Sequence, residues 1–332
     1  MITSAILDRE DPSRADKLQV ASFLAMSAVA ILLWGWLDAR LPFALEMALA
    51  VVSVALLGIP HGALDFMHMK ALAARLGRAE LLWVGFVLYL LLGGLVIAAW
   101  IAFPAPMLAA FLAATVLHWG VEDTRAPLAW RSGYIAEVLL RGAMPIVLPL
   151  AFHPAQTAWL FGQLIPTEAA LALTQGVGAL WPLLLLLAAS LLGGLFARRA
   201  SLPRREWWTL IELATIAALF VVTPPLVAFA VYFGLLHSAR YLTRYAMAGE
   251  SARRSGAVRR ALDHAWPMTL LTWVLALGAF ALLSPERAGI QATLQVLFIG
   301  LAALTFPHAL LVMSLRFVAP RDPDGQGAMD SP

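Results

Sequence analysis

GIPHGALD, residues 58–65, closes an apolar run from Phe43 to Ile59 and sets a proline, two glycines, a histidine and an aspartate within eight residues. A membrane segment that ended for topological reasons alone would end in Lys, Arg or Gly. Here Pro60 removes a backbone N–H while Gly58 and Gly62 loosen the chain. That combination disrupts the helix and turns backbone and ligand-type side chains toward a cavity rather than lipid. His61 and Asp65 stand four apart, so on a persisting helix they share a face, a metal ligand followed by a carboxylate able to support it.

Outward from this stretch the chain is strongly apolar: 61% of its 332 residues are hydrophobic and 13% charged. That is too little polar surface to cover a water-soluble globule of this size. Windows long enough to cross a bilayer, about 20 residues each, fall at 19–37, 43–61, 81–102, 105–121, 133–152, 169–196, 207–223, 225–243, 266–283 and 290–313. Prolines such as Pro42, Pro104, Pro154, Pro224 and Pro285 mark the junctions. The expected fold class is all-α, a polytopic membrane helical bundle of about ten transmembrane helices. One transmembrane domain, residues 19–316, lies between a cytoplasmic N-terminal tail, 1–18, and a disordered C-terminal tail, 317–332, rich in Pro, Asp and Gly.

The basic residues orient the bundle. With the N-terminus inside, every Lys and Arg except Arg40, Arg141 and Arg287 falls on the cytoplasmic side, the asymmetry expected of a multi-pass protein with an even number of spans. The expected location is the cell inner membrane, with both termini cytoplasmic. The net charge of +3 then reflects loops facing the anionic surface of the lipid bilayer, and nothing favours nucleic acid as a partner. The chain has no cysteine, which excludes disulfides, thiolate zinc sites and cysteine-ligated iron–sulfur clusters.

In this topology the second, fourth, eighth and tenth spans run in the same direction, and each carries one histidine at a similar depth: His61, His118, His237 and His308. A lone histidine in a membrane helix is commonly a hydrogen-bonded packing residue. Four in one layer point instead to a shared metal site, because a polar side chain in lipid is costly unless it faces a functional interior. His68, His153 and His264 fall in loops or at span ends, where solvated surface is the default, although His68 lies close to His61. Asp65, Glu122 and Asp123 are candidate supporting carboxylates. Glu137 and Arg141, four apart inside a span, suit an internal ion pair, and Glu212 is placed to meet one of the histidines. Imidazole ligation suits zinc, copper, iron or nickel, and the residues leave that choice open.

At these residues the chain resembles the membrane-bound Brp/Blh family of bacterial and archaeal β-carotene 15,15′-dioxygenases. The resemblance covers about residues 43–316 and is anchored on GIPHGALD, HWGVED at 118–123, HSARY at 237–241 and PHALL at 307–311. It implies an all-helical bundle in which Fe(2+) is held by histidines, of which His61, His118 and His237 match the motif positions. The implied substrates are β-carotene or a related carotenoid and O2. The implied product is retinal, with a rhodopsin as its acceptor. The family's third motif reads His-x-x-x-His, whereas this chain has Tyr241 in the second position. Either His308 supplies a fourth ligand, or Tyr241 lines a pocket beside three histidines and water. Tyr241 and Asp65 are accordingly the candidate catalytic side chains, in a groove to which Trp34, Trp36, Trp119, Tyr232, Phe233 and the methionines are possible contributors. A transporter or metal- and proton-binding protein using the same histidines is the alternative from another class, and a haem-b electron carrier is third.

Overall fold

A computed structural model describes residues 14–37, 41–124, 131–197, 204–247 and 257–317. Among these residues every regular element is helical. In chain order they are α1 (Arg14–Gly35), α2 (Phe43–Arg75), α3 (Leu81–Ala102), α4 (Pro104–Asp123), α5 (Arg131–Phe152), α6 (Pro154–Gly162), α7 (Thr167–Ala197), α8 (Arg204–Val222), α9 (Pro225–Ala246), α10 (Ala257–Leu283) and α11 (Gly289–Phe317). Nine of these helices are long and apolar enough to cross a membrane, and the apolar part of α8, Trp208–Val222, is shorter. Each of the ten apolar windows thus meets one helix. The tail assignments fall largely on residues 1–13 and 318–332, and the centre of the charged 244–265 connection on 248–256, all outside the described residues.

Burial separates centre from periphery. In α5 and α9, 72% of the apolar window is buried, against 6% in α3 and α10, so the former are the interior of the bundle and the latter present their side chains to lipid. Helices α4 and α5 pack closely enough that a Cβ on Gly142 would lie 1.8 Å from the Val116 carbonyl oxygen. No side chain fits there.

GIPHGALD does not break the helix as its proline suggests. Instead, α2 widens into a π turn over Val54–Gly58, resumes as α-helix over Ile59–Ala63, and is interrupted once, at Leu64, before continuing from Asp65. A π turn absorbs the missing N–H of Pro60 without ending the span, and such turns concentrate at functional sites. A second π segment, Tyr232–Ser238, lies in α9 and contains His237. Hydrogen bonds from neighbouring helices occupy carbonyls in and beside both segments: Trp273 Nε1 donates to Ala55 O at 3.1 Å, Ser53 Oγ to Ala230 O at 2.7 Å and Gln19 Nε2 to Leu235 O at 2.6 Å. In lipid such carbonyls have no water to turn to.

Candidate metal centre

The four span histidines come from α2, α4, α9 and α11 and converge. Ligand atoms of His61, His118 and His237 all lie within 4.8 Å of one another. His308 joins them, its Nε2 3.3 Å from His61 Nε2 and its ring centroid 4.8 Å from that of His118. His61, His237 and His308 are buried, and His118 is partly so. Both His61 and His308 directly follow a proline, Pro60 and Pro307.

Two matching chains of hydrogen bonds set the rings. On one side, Tyr89 Oη donates to Asp65 Oδ2 at 2.7 Å, and Asp65 Oδ1 accepts from His308 Nδ1 at 2.7 Å. On the other, Tyr232 Oη donates to Asp123 Oδ2 at 2.6 Å, and Asp123 Oδ1 accepts from His237 Nδ1 at 3.2 Å. A carboxylate accepts only, so in both histidines Nδ1 carries the hydrogen and Nε2 keeps a lone pair, the tautomer a metal ligand requires.

Asp65 therefore supports His308 rather than His61, four residues before it, because the turn at Leu64 takes the aspartate out of the register that an unbroken helix would give. Asp123 supports His237, on another helix, while Glu122 offers its backbone carbonyl to Arg244. Tyr89 and Tyr232 were not identified as ring-setting residues from the sequence. The signal for Tyr89 was a phenol midway along an otherwise apolar span, since a buried Tyr O–H needs a partner.

The residues fit a metal ion. Two imidazole nitrogens bound side by side to one ion at about 2.0–2.1 Å are about 3.0–3.4 Å apart, and the His61–His308 separation of 3.3 Å falls in that interval. The other ring nitrogen, His61 Nδ1, is buried and makes no hydrogen bond among the described residues, so His61 lacks the carboxylate partner that sets the rings of His237 and His308.

Other expectations need correction. His68 is buried rather than solvated, its Nδ1 3.1 Å from Tyr241 Oη. Tyr241 lays its ring against His61, with centroids 4.1 Å apart. His153 is half-buried on the Val221 carbonyl, whereas His264 is exposed as expected. Glu212 pairs with arginines among the described residues. It accepts from Arg141 at 2.8 Å and from Arg240 at 2.8 Å, while Arg141 also donates to Glu137 at 2.8 Å as expected. Arg240 reaches on to the Asp123 carbonyl at 2.8 Å, so this buried ion network ends beside the histidine layer.

An aromatic cavity of about 100 Å³ lies against that layer, with Phe111, Trp119, Phe229, Phe233 and Phe298 among its walls. The Trp119 and Phe233 rings each stand 5.6 Å from that of His237. A longer groove of about 410 Å³ runs among α2, α3, α10 and α11, past Gly62, Asp65 and Tyr89. Of the aromatics named as possible groove residues, Trp119 and Phe233 line the cavity. Tyr232 is fully buried on Asp123.

Residues 52–316 match the family described as β-carotene 15,15′-dioxygenase. The chain is 30% identical over 293 residues to the probable β-carotene 15,15′-dioxygenase Blh of Halobacterium salinarum, covering 79% of this chain and 82% of that one. It is 28% identical over 266 residues to the β-carotene 15,15′-dioxygenase of an uncultured marine bacterium, covering 79% and 91%. No solved structure matches. The chain belongs to the β-carotene 15,15′-dioxygenase family.

Proposed function

We propose that this protein cleaves β-carotene with O2 at the central 15,15′ double bond, giving two molecules of retinal, at an Fe(2+) held by His61, His118, His237 and His308. The observation that carries the reading is the meeting of four histidines from four helices, two of them fixed by Tyr–Asp pairs, against an aromatic cavity. The family and its relatives support the reaction. When bound, the iron supplies the redox chemistry that spin-paired side chains lack.

The rest is the work of the chain. Asp65 and Asp123 hold two imidazoles with Nε2 toward the centre. The ring walls of the cavity take one apolar arm of the polyene and keep water from the reacting carbons. Tyr241 packs on His61 and lines neither of the two cavities above. Helices α3 and α10, which bound the longer groove, face lipid, so a membrane-dissolved substrate can approach sideways. A rhodopsin in the same membrane is the retinal acceptor in this reading.

The test is co-expression with a β-carotene pathway, followed by chromatography of the extracted pigments. Loss of β-carotene with accumulation of retinal is expected; unchanged pigment, or aldehydes of other lengths, would sink the assignment. The inner membrane with both termini cytoplasmic is the orientation proposed, on the distribution of Lys and Arg. Reporter fusions after Pro104 and Pro285 should read outside and a fusion after Arg78 inside, and two reversals would reject it.

A further inference from the structure

Four buried hydroxyls make no hydrogen bond among the described residues: Ser27, Thr115, Thr174 and Ser238. Of these, Thr115 alone lines one of the two cavities, the aromatic one against the histidines, and it is 2% exposed. Helical threonines ordinarily return the hydroxyl to the carbonyl four residues back, as Thr124, Thr223, Thr269 and Thr272 do at 2.7–2.9 Å. Thr115 has the Phe111 carbonyl at that spacing and leaves it unused. It also stands three residues before His118, on the same face of α4 and one turn away from it. A donor without a partner in an apolar cavity is costly unless a ligand brings an acceptor.

We infer that Thr115 binds the oxygen of the aldehyde product. The inference rests on the cleavage reading above. A carotene hydrocarbon offers no acceptor, so the hydroxyl gains nothing from the substrate. Cleavage breaks the carbon–carbon double bond and gives one atom of O2 to each of its carbons, which balances atoms and electrons without an added reductant. Each new carbonyl is an acceptor, created where the polyene meets the histidine layer. Thr115 accordingly recognises what the reaction has made, and retains or orients the aldehyde until it leaves.

The experiment uses the full chain in lipid nanodiscs. Quenching of tryptophan fluorescence measures binding of all-trans-retinal and of the analogue carrying a methyl group in place of the aldehyde. The wild type should prefer retinal, Thr115→Val should reduce that preference roughly fivefold, and Thr115→Ser should restore it. A valine variant with the wild-type preference overturns the inference, as does a serine variant that behaves like valine. The same preparations are assayed for β-carotene cleavage. Wild-type protein that forms no retinal overturns the functional reading and this inference with it. Wild-type protein that forms retinal, beside an unaltered preference in the valine variant, overturns this inference alone.

Discussion

If iron is held as proposed, replacing His61, His118 or His237 with alanine should remove it and lower retinal formation by at least about a hundredfold, the upper end of what losing even an outer-sphere partner costs a metal site. His308→Ala belongs with them, because its Nε2 lies 3.3 Å from that of His61 and its Nδ1 is committed to Asp65. Tyr241→Phe behaves differently. Its phenol faces His68 while its ring face packs on His61, so the phenylalanine keeps the packing and loses the hydrogen bond to His68. Activity should then fall less than about tenfold, with iron retained. Metal analysis of the purified variants decides the matter together with pigment chromatography. Iron lost in Tyr241→Phe but kept in His308→Ala would reverse the ligand assignment, and full iron in all three alanine variants of His61, His118 and His237 would remove the site.

The second large effect is on stability. Arg141 is completely buried, between Glu137 and Glu212, and breaking a buried ion pair from one side costs about 3–5 kcal/mol because the remaining charges lose their partner. Arg141→Met should therefore lower the thermal midpoint in detergent by about 10 °C. The Glu137→Gln, Arg141→Met double variant should recover part of that loss, since it leaves one uncompensated charge fewer. A single variant that melts with the wild type would mean that the network is not holding the bundle together. The effect reaches the histidine layer, because Arg240 shares Glu212 with Arg141 and grips the backbone of Asp123.

The helices and the meeting of the histidines were legible in the sequence because both follow from the cost of polar groups in lipid. Each apolar window became a helix, and four histidines at one depth had to face inward. Which carboxylate serves which ring was not legible. The i, i+4 rule assigned Asp65 to His61 on the assumption of an unbroken helix, and the turn at Leu64 gave it to His308. Asp123 and His237 belong to different helices, and spacing along one chain segment says nothing of a partner across the bundle. Glu212 lies in the interior as expected, and its partners Arg141 and Arg240 come from other helices, which spacing along one segment does not reveal. His68 looked like a residue at a span end, and α2 carries it past the membrane window into the packed interior beside Tyr241.

The π turn over Val54–Gly58 has a meaning for how the family's sequences can change. A π turn amounts to one residue inserted into an α-helix and absorbed by widening the coil, whereas in plain α-helix each residue gained or lost rotates everything after it by about 100°. Deleting a single codon there would leave composition, hydropathy and span length nearly intact. It would also remove the extra residue that the π turn accommodates, letting the turn close to α-helix with His61 on the same face, whereas the same deletion in the plain α-helix of Phe43–Ser53 would swing His61 about a quarter of the way round, away from His118, His237 and His308. The π turn is therefore the place along this helix where the chain can change length by one residue and still deliver His61 to the site. A one-residue deletion tested in Phe43–Ser53 should therefore cost the site its His61, while one in Val54–Gly58 should cost it far less.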